Sequence, residues 1–240
     1  NMYVLITRQL EQSKKFSSVL EESNIKNIIL PVISIKHIEL KNVDIKNIKK
    51  SDFVIFTSQN SVVSLMKKLS TKDFFGKNIA AIGKATTKIL GDYKIKVNIS
   101  PEEDFTSESL LSEIKKNKIK NKKIIIIKGI GGRDLLHKKL SIDNIVFKDI
   151  ESYERCIPDN LSDFNSFTFK DITHVCITSI DILNNFKKTC DILNLEVLKN
   201  IIFVSGNQRI ANAVKKSFPT NKMLVSLNPT NNEMLNTIIG

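Results

Sequence analysis

Short apolar runs alternate with segments of helical spacing along almost the whole chain. Runs suited to strands are 3–6, 28–33, 53–56, 79–82, 96–99, 123–127, 145–150, 174–177, 201–204 and 223–226. Stretches such as "SVVSLMKKL" and "RIANAVKKS" lie between them, with apolar residues three and four apart. A strand buried on both faces reads as a continuous apolar run, and a surface helix reads with a period near 3.6. The alternation therefore predicts α/β architecture with largely parallel sheets. So many strands exceed one small sheet, so two sheets are expected.

The pattern also repeats. "VLITR" (Val4–Arg8) aligns with "IIIIK" (Ile124–Lys128), and "DFVIFTSQNSV" (Asp52–Val62) with "THVCITSIDIL" (Thr173–Leu183). "KNIAAIGKATTKIL" then falls on "KNIIFVSGNQRIANAV", and "NISPEEDFTSESLL" on "SLNPTNNEML". The offset stays near ~120 residues, about one domain. Two related α/β domains follow, with strand exchange left open. Two segments resist helical reading, "LPVISIKHIEL" (Leu30–Leu40) and "IVFKDIESYERCIP" (Ile145–Pro158), and they occupy equivalent places in the repeats. They suit a two-stranded connection.

Composition narrows the chemistry. The formal charge is +12, yet arginine occurs only at Arg8, Arg133, Arg155 and Arg209 among 37 basic residues. Lysine, isoleucine and asparagine are abundant together, as a biased base composition produces. The lysines are spread along the chain and tryptophan is absent, so the charge gives no aromatic-rich basic stripe for nucleic acid. The four arginines carry more information, because a guanidinium fork is not interchangeable with an ammonium. Three cysteines without a CxxC, and three scattered histidines without HExxH, suggest neither a disulfide framework nor a zinc site. No apolar stretch is long enough to span a membrane and no secretory pattern opens the chain, so a cytoplasmic protein is expected. Asn1 precedes Met2 and reads as an added residue. A monomer is the expectation, since no apolar stripe is left over.

In parallel α/β sheets, ligands bind outside the carboxyl ends of the strands. Several strands here run into hydroxyl or glycine residues that open a helix. These are Thr57, Ser58 and Asn60; Gly83, Lys84, Thr86 and Thr87; Thr178 and Ser179; and Ser205, Gly206 and Arg209. Each turn offers free N–H groups that favour carboxylate or phosphate. Plain N-capping explains any one of them, but the recurrence in both repeats suggests an anionic ligand. "IIIIKGIGGRDLL" has Gly129 and Gly131 spaced like a dinucleotide loop, but Asp134 stands where the third glycine belongs. A nucleotide cofactor is therefore not expected. Gly131, Gly132 and Arg133 suit a carboxylate or a simple turn. No nucleophile–base pair stands out. Tyr153, close to Arg155, is a phenol able to donate a proton, or a ring able to fill a core.

Taken in order, "LITR", "LPVISI", "VIFTSQNSV", "IAAIGKATTKIL", "PEEDFTSESLL", "IIIIKGIGGRDLL", "YERC", "ITSIDIL", "VSGNQRIA" and "NPTNNEML" resemble the uroporphyrinogen-III synthase family, most closely its bacterial members. The resemblance covers nearly the whole chain. It implies an α/β protein with two similar parallel-sheet, flavodoxin-like (HemD-like) domains joined by a two-stranded β linker. The implied division is 1–34 plus 158–240 for a discontinuous first domain and 50–146 for the second, with 35–49 and 147–157 as linker segments. It implies cyclisation of hydroxymethylbilane to uroporphyrinogen III, with loss of water and inversion of ring D, in a cleft that uses no metal and no organic cofactor. Transient contact with hydroxymethylbilane synthase is the implied partnership. Tyr153 falls on the family tyrosine that assists departure of the hydroxyl. Thr57, Ser58, Asn60, Gly83, Lys84, Thr86, Thr87, Gly131, Gly132, Arg133, Thr178, Ser179, Ser205, Arg209 and Arg8 are the implied substrate contacts. Gln208 and Arg209 stand where some members carry threonines, and Ile180 where others carry a small or polar residue. The competing reading is a two-lobed, non-catalytic binding protein for an anionic small molecule.

Overall fold

A computed structural model describes residues 1–100, 112, 115, 122–131, 135–142, 145–161 and 169–240. The chain forms two compact units, one of residues 1–34 and 156–240, the other of residues 35–155.

The first unit holds β1 (Tyr3–Ile6), α1 (Leu10–Glu22) and β2 (Lys26–Ile29) from the N-terminal segment. The C-terminal segment adds β8 (His174–Ile177), α6 (Ile180–Leu193), β9 (Ile202–Ser205), α7 (Gln208–Ser217), β10 (Lys222–Val225) and α8 (Asn231–Ile239). The sheet order is β10-β9-β8-β1-β2, and its adjacent strands run parallel. Alternate residues of the strands go to opposite faces, as the pleat requires. Leu5, Val175, Ile177 and Phe203 enter one core, while Val4, Ile6, Cys176 and Val204 enter the other. The helices close these cores through single faces. α6 buries Ile182, Leu183, Phe186, Thr189 and Cys190, a helical spacing, and ends on Asn194 in the left-handed conformation.

The second unit holds β3 (Ser34–His37, at the boundary), α2 (Asn42–Lys49), β4 (Phe53–Phe56), α3 (Gln59–Leu65), a 3₁₀ turn at Thr71–Phe74 and β5 (Asn78–Ala81). It continues through α4 (Lys84–Asp92), β6 (Ile124–Gly129), α5 (Leu135–Ile142) and β7 (Phe147–Cys156). Its order is β3-β7-β6-β4-β5. Val54, Phe56, Ile79, Ile125 and Ile127 pack on one face, with Phe53, Ile55, Ala80, Ile124 and Ile126 on the other.

The repeat in the sequence is a repeat in the topology. β1 and β6 start at residues 3 and 124, and β4 and β8 at 53 and 174. Matching β1 with β6, β2 with β7, β8 with β4 and β9 with β5 makes four strands of each order coincide, while the fifth strands differ, β10 lying beside β9 and β3 beside β7. The strands nearest the N-terminus lie in the sheet built by the C-terminal half, so the repeats exchange elements. The first sheet follows the flavodoxin-like order and the second keeps four strands of it, and ligands of that order bind at the carboxyl strand ends.

Three local readings change. Residues 96–99 were expected as a strand, but only Ile99 bridges to Ala80. There the Asn98 side chain accepts the Ile79 N–H at 2.9 Å, so a side chain does the work of a ladder carbonyl. Of residues 28–33, β2 takes only those up to Ile29, though the Leu30 and Val32 N–H groups still donate to the Ile6 and Thr7 carbonyls, and the extended run resumes as β3. Residues 42–49, within the stretch expected as linker, form α2, and its Ile48 is in the core.

Candidate active site

At the carboxyl edge of the second sheet, β4 runs into Thr57 and Ser58. The Thr57 backbone N–H and hydroxyl both donate to the Ile127 carbonyl, at 3.2 and 3.0 Å, tying this turn to β6. Ser58 is the N-cap of α3. Its Oγ accepts the Ser61 N–H at 3.2 Å, and Ser61 Oγ accepts the Ser58 N–H at 3.3 Å while its hydroxyl donates to the Ser58 carbonyl. A reciprocal cap of this kind fixes the first turn of a helix.

Tyr153 reaches this turn from β7. Its ring is 2% exposed, and its phenol oxygen lies 2.9 Å from Ser58 Oγ. Arg155 Nη2 donates to the same phenol oxygen at 3.3 Å, with the guanidinium carbon 5.5 Å from the ring centroid. Residues two apart on a strand share a face, which brings Tyr153 and Arg155 together. The ring is admitted by Gly129. A β-bulge falls between Lys128 and Gly129, and Gly129 pairs with Tyr153.

Beside it, α4 opens on Gly83, whose φ of +93° suits glycine, and no side chain caps this helix. Thr86 is buried. Thr87 Oγ1 lies 3.3 Å from the Gly83 carbonyl and 2.9 Å from Ser100 Oγ. Lys84 is exposed and Asn60 half-buried, both in the first turns of their helices. Gly131 is exposed with φ of +70°. Gly132 and Arg133 lie outside the described residues.

The first unit has a matching edge. Ser179 caps α6 by accepting the Ile182 N–H at 3.1 Å, and Asn207 caps α7 by accepting the Ile210 N–H at 3.0 Å. Gly206 lets two turns meet: a Cβ there would stand 2.9 Å from Pro229 Cβ and 3.5 Å from Thr178 Cα. Arg8, 7% exposed, donates to Asn231 Oδ1 at 2.9 Å and to the Pro229 carbonyl, with its guanidinium carbon 5.3 Å from the centre of the Phe16 ring. Burial lowers its pKa against the opposing pull of Cys176. Arg8 thus braces the turn before α8 from inside. Ser205 is fully buried, and its hydroxyl has no hydrogen-bond partner among the described residues. Arg209 is exposed in the first turn of α7.

Sequence reasoning missed three features. Gly129 was weighed as part of a nucleotide loop, not as space for a ring. Arg155 was noted beside Tyr153 but not counted in the site, although strand spacing signals it. His137 on α5 places Nε2 at 2.7 and 2.6 Å from the two carboxylate oxygens of Asp149, with Lys128 Nζ 3.9 Å from Oδ2. No motif flags that cluster, because its members come from three elements. The described residues hold no group of His, Cys, Asp and Glu suited to a metal ion, and no described helix is long and apolar enough to cross a membrane.

Residues 14–236 match the family model of uroporphyrinogen-III synthase HemD. A Methanocaldococcus jannaschii protein assigned as a uroporphyrinogen-III synthase is 31% identical over 224 residues, covering 90% of this chain and 89% of the relative. A Methanothermobacter thermautotrophicus protein with the same assignment is 27% identical over 162 residues, covering 65% of this chain and 63% of its own. In fold, the chain resembles the uroporphyrinogen-III synthetase of Helicobacter pylori, with a TM-score of 0.69 at 19% identity over 100% of this chain and 98% of the other. A uroporphyrinogen III synthase of Thermus thermophilus gives a TM-score of 0.61 at 12% identity, over the same shares of the two chains. The ordered motifs, the paired flavodoxin-like sheets and the match across most of the sequence agree, and the chain belongs to the uroporphyrinogen-III synthase family, cyclising hydro-lyases of tetrapyrrole biosynthesis.

Proposed function

We propose that the chain takes hydroxymethylbilane, a linear tetrapyrrole bearing acetate and propionate groups, and closes it to uroporphyrinogen III. Ring A loses its hydroxyl as water, driven by the lone pair of its pyrrole nitrogen, and an electrophilic azafulvene results. Ring D attacks through its substituted carbon to give a spiro intermediate, which opens and recloses with ring D inverted. These steps are redox-neutral and ask for an acid at the leaving hydroxyl and for donors that hold the carboxylates. The observation that carries this reading is the phenol of Tyr153 at a carboxyl strand edge, bonded to Ser58 and Arg155.

The uncapped start of α4 at Gly83, the exposed cations Lys84 and Arg209, and the capped turns at Ser58 and Ser179 supply candidate carboxylate partners. Holding the chain ends in one geometry lowers the barrier to the desired closure relative to the spontaneous one. The reading places a monomer in the cytoplasm, without cofactor, receiving substrate through transient contact with hydroxymethylbilane synthase. Three free cysteines suit a reducing compartment.

Product analysis tests it. Purified protein given hydroxymethylbilane is expected to form the type III isomer faster than the spontaneous type I product accumulates. Type I product alone, at the rate seen without protein, overturns the reading.

A further inference from the structure

We propose that Ser58, rather than Tyr153, presents the proton to the departing hydroxyl, and that Tyr153 and Arg155 act behind it as positioning residues. The proposal rests on the cyclisation described above and assigns the order of its donors.

The assignment follows from counting hydrogens. A guanidinium only donates. The Arg155–Tyr153 contact at 3.3 Å therefore makes the phenol oxygen an acceptor. Among the described residues the remaining phenol contact is Ser58 Oγ at 2.9 Å, and the tyrosine is buried. A buried hydroxyl whose proton faces no acceptor is costly, so the phenol proton goes to Ser58. Ser58 Oγ also accepts the Ser61 N–H at 3.2 Å. A hydroxyl has two acceptor sites and one proton, so both acceptor sites of Ser58 are filled and only its own hydrogen remains to be placed.

The neighbouring hydroxyls cannot compete for this role. The Thr57 proton goes to the Ile127 carbonyl and the Ser61 proton to the Ser58 carbonyl. Arg155 at one end of the chain is exposed, but a guanidinium is no acid; of the two hydroxyls Ser58 is half-buried and Tyr153 buried, so Ser58 is the hydroxyl that a ligand meets. The donors all point one way, from Arg155 to Tyr153 to Ser58. Aligned chains of this kind strengthen the terminal donor.

The step balances. The hydroxymethyl carbon–oxygen bond breaks as the pyrrole nitrogen lone pair moves in, and the leaving oxygen takes the Ser58 proton and departs as water. Ser58 regains a proton from Tyr153, whose phenolate is held beside the Arg155 guanidinium. The proton lost from the tetrapyrrole on ring closure returns to the phenolate.

The experiment is single-turnover formation of the type III isomer by purified Ser58→Asn, Ser58→Ala, Ser58→Thr, Tyr153→Phe and the Ser58→Asn/Tyr153→Phe pair. Asparagine keeps an N-cap acceptor for α3 but lacks the hydroxyl, so folding and chemistry are separated. Ser58→Asn is expected to melt near the parent temperature and to slow the step by about tenfold or more with KM little changed, the scale of losing a general acid. Tyr153→Phe should slow it comparably, Ser58→Thr should recover most of the loss, and the pair should be no slower than the slower single variant, as for groups acting in series. Parent-like rates for Ser58→Asn and Ser58→Ala beside a slow Tyr153→Phe would overturn the proposal and put Tyr153 on the substrate. Losses that multiply in the pair would overturn it as well. Failure of the parent protein itself to make type III product would instead strike the reading of function.

Discussion

The ring of Tyr153 occupies the volume that a side chain on Gly129 would need. A Cβ on Gly129 would stand 2.6 Å from Cζ, 2.7 Å from Cε2 and 3.0 Å from the phenol oxygen. Distances that short force movement of the ring or of β6. Gly129→Ala should therefore cost about 1–3 kcal/mol, as overpacking does. It should also shift the phenol off Ser58 and slow type III formation to the level of Tyr153→Phe. Urea unfolding and the isomer assay check the two effects. A variant with parent-like stability and rate would mean that Gly129 does not set the ring.

Arg8 concerns the other unit. Its fork holds Asn231 and the Pro229 carbonyl from a buried position, so Arg8→Met would leave those acceptors without their charged donor. Removing the desolvated charge offsets part of that loss. Hydrogen bonds to charged groups contribute about 1.5–3 kcal/mol each, so a net loss of about 1–3 kcal/mol is expected in urea unfolding. An unchanged midpoint would show that the turn before α8 stands without its brace.

The strands Tyr3–Ile6, Phe53–Phe56 and His174–Ile177 were legible to the residue, because a strand covered on both faces must be apolar throughout. The repeat carried the presence of two related sheets but left the exchange of strands between its copies open, since pairing β1 with β8 joins residues about 170 apart. Residues 96–99 failed because the Asn98 side chain takes the Ile79 N–H, which leaves the single bridge of Ile99 to Ala80 in place of a ladder. In the candidate site, Ser58 was legible as a helix start and Tyr153 as an isolated phenol. Their contact was not, as they are 95 residues apart and no local pattern encodes it. The bracing of Arg8 by Asn231, 223 residues away, was hidden for the same reason. The part of Gly129 was hidden even with a nucleotide set aside, because a glycine that admits a ring and one that admits a phosphate look alike in sequence.

The three thiols should separate by reactivity. Burial pushes Cys176 up to about 12 against the opposing pull of Arg8, and it pushes Cys190 up to about 12 with Asp191 adding to the effect. Thiolate, not thiol, reacts with alkylating reagents. Cys156 is half-buried, with its sulfur 3.2 Å from Ser34 Oγ. Under native conditions at neutral pH, mass spectrometry should find Cys156 modified first, and Cys176 and Cys190 only as fast as the protein opens. Equal labelling of Cys176 and Cys156 would contradict the packing of β8.

The pH dependence of stability should carry a histidine component. His174, in β8, has its pKa lowered, first by burial and then by Lys222, and its Nδ1 lies 2.8 Å from Thr173 Oγ1. His37 is lowered by burial and by Lys67. A lowered folded pKa means that the unfolded chain takes up the proton first. As pH falls below about 6.5, the ordinary histidine value, unfolding therefore gains protons that the native state refuses, and stability declines. The decline ends once the folded-state values are passed. Asp73 is also lowered, from its own ordinary value of 3.8 and first by the Ser70 N–H, but for a carboxylate that favours the charged form, so its stabilising contribution is present above 3.8 and is lost only at more acid pH. Urea midpoints should thus be flat just above neutrality and fall on mild acidification. A His37→Gln/His174→Gln variant should remove the histidine part of that fall. If the double variant declines as steeply as its parent through mild acid, neither ring is held neutral by the fold.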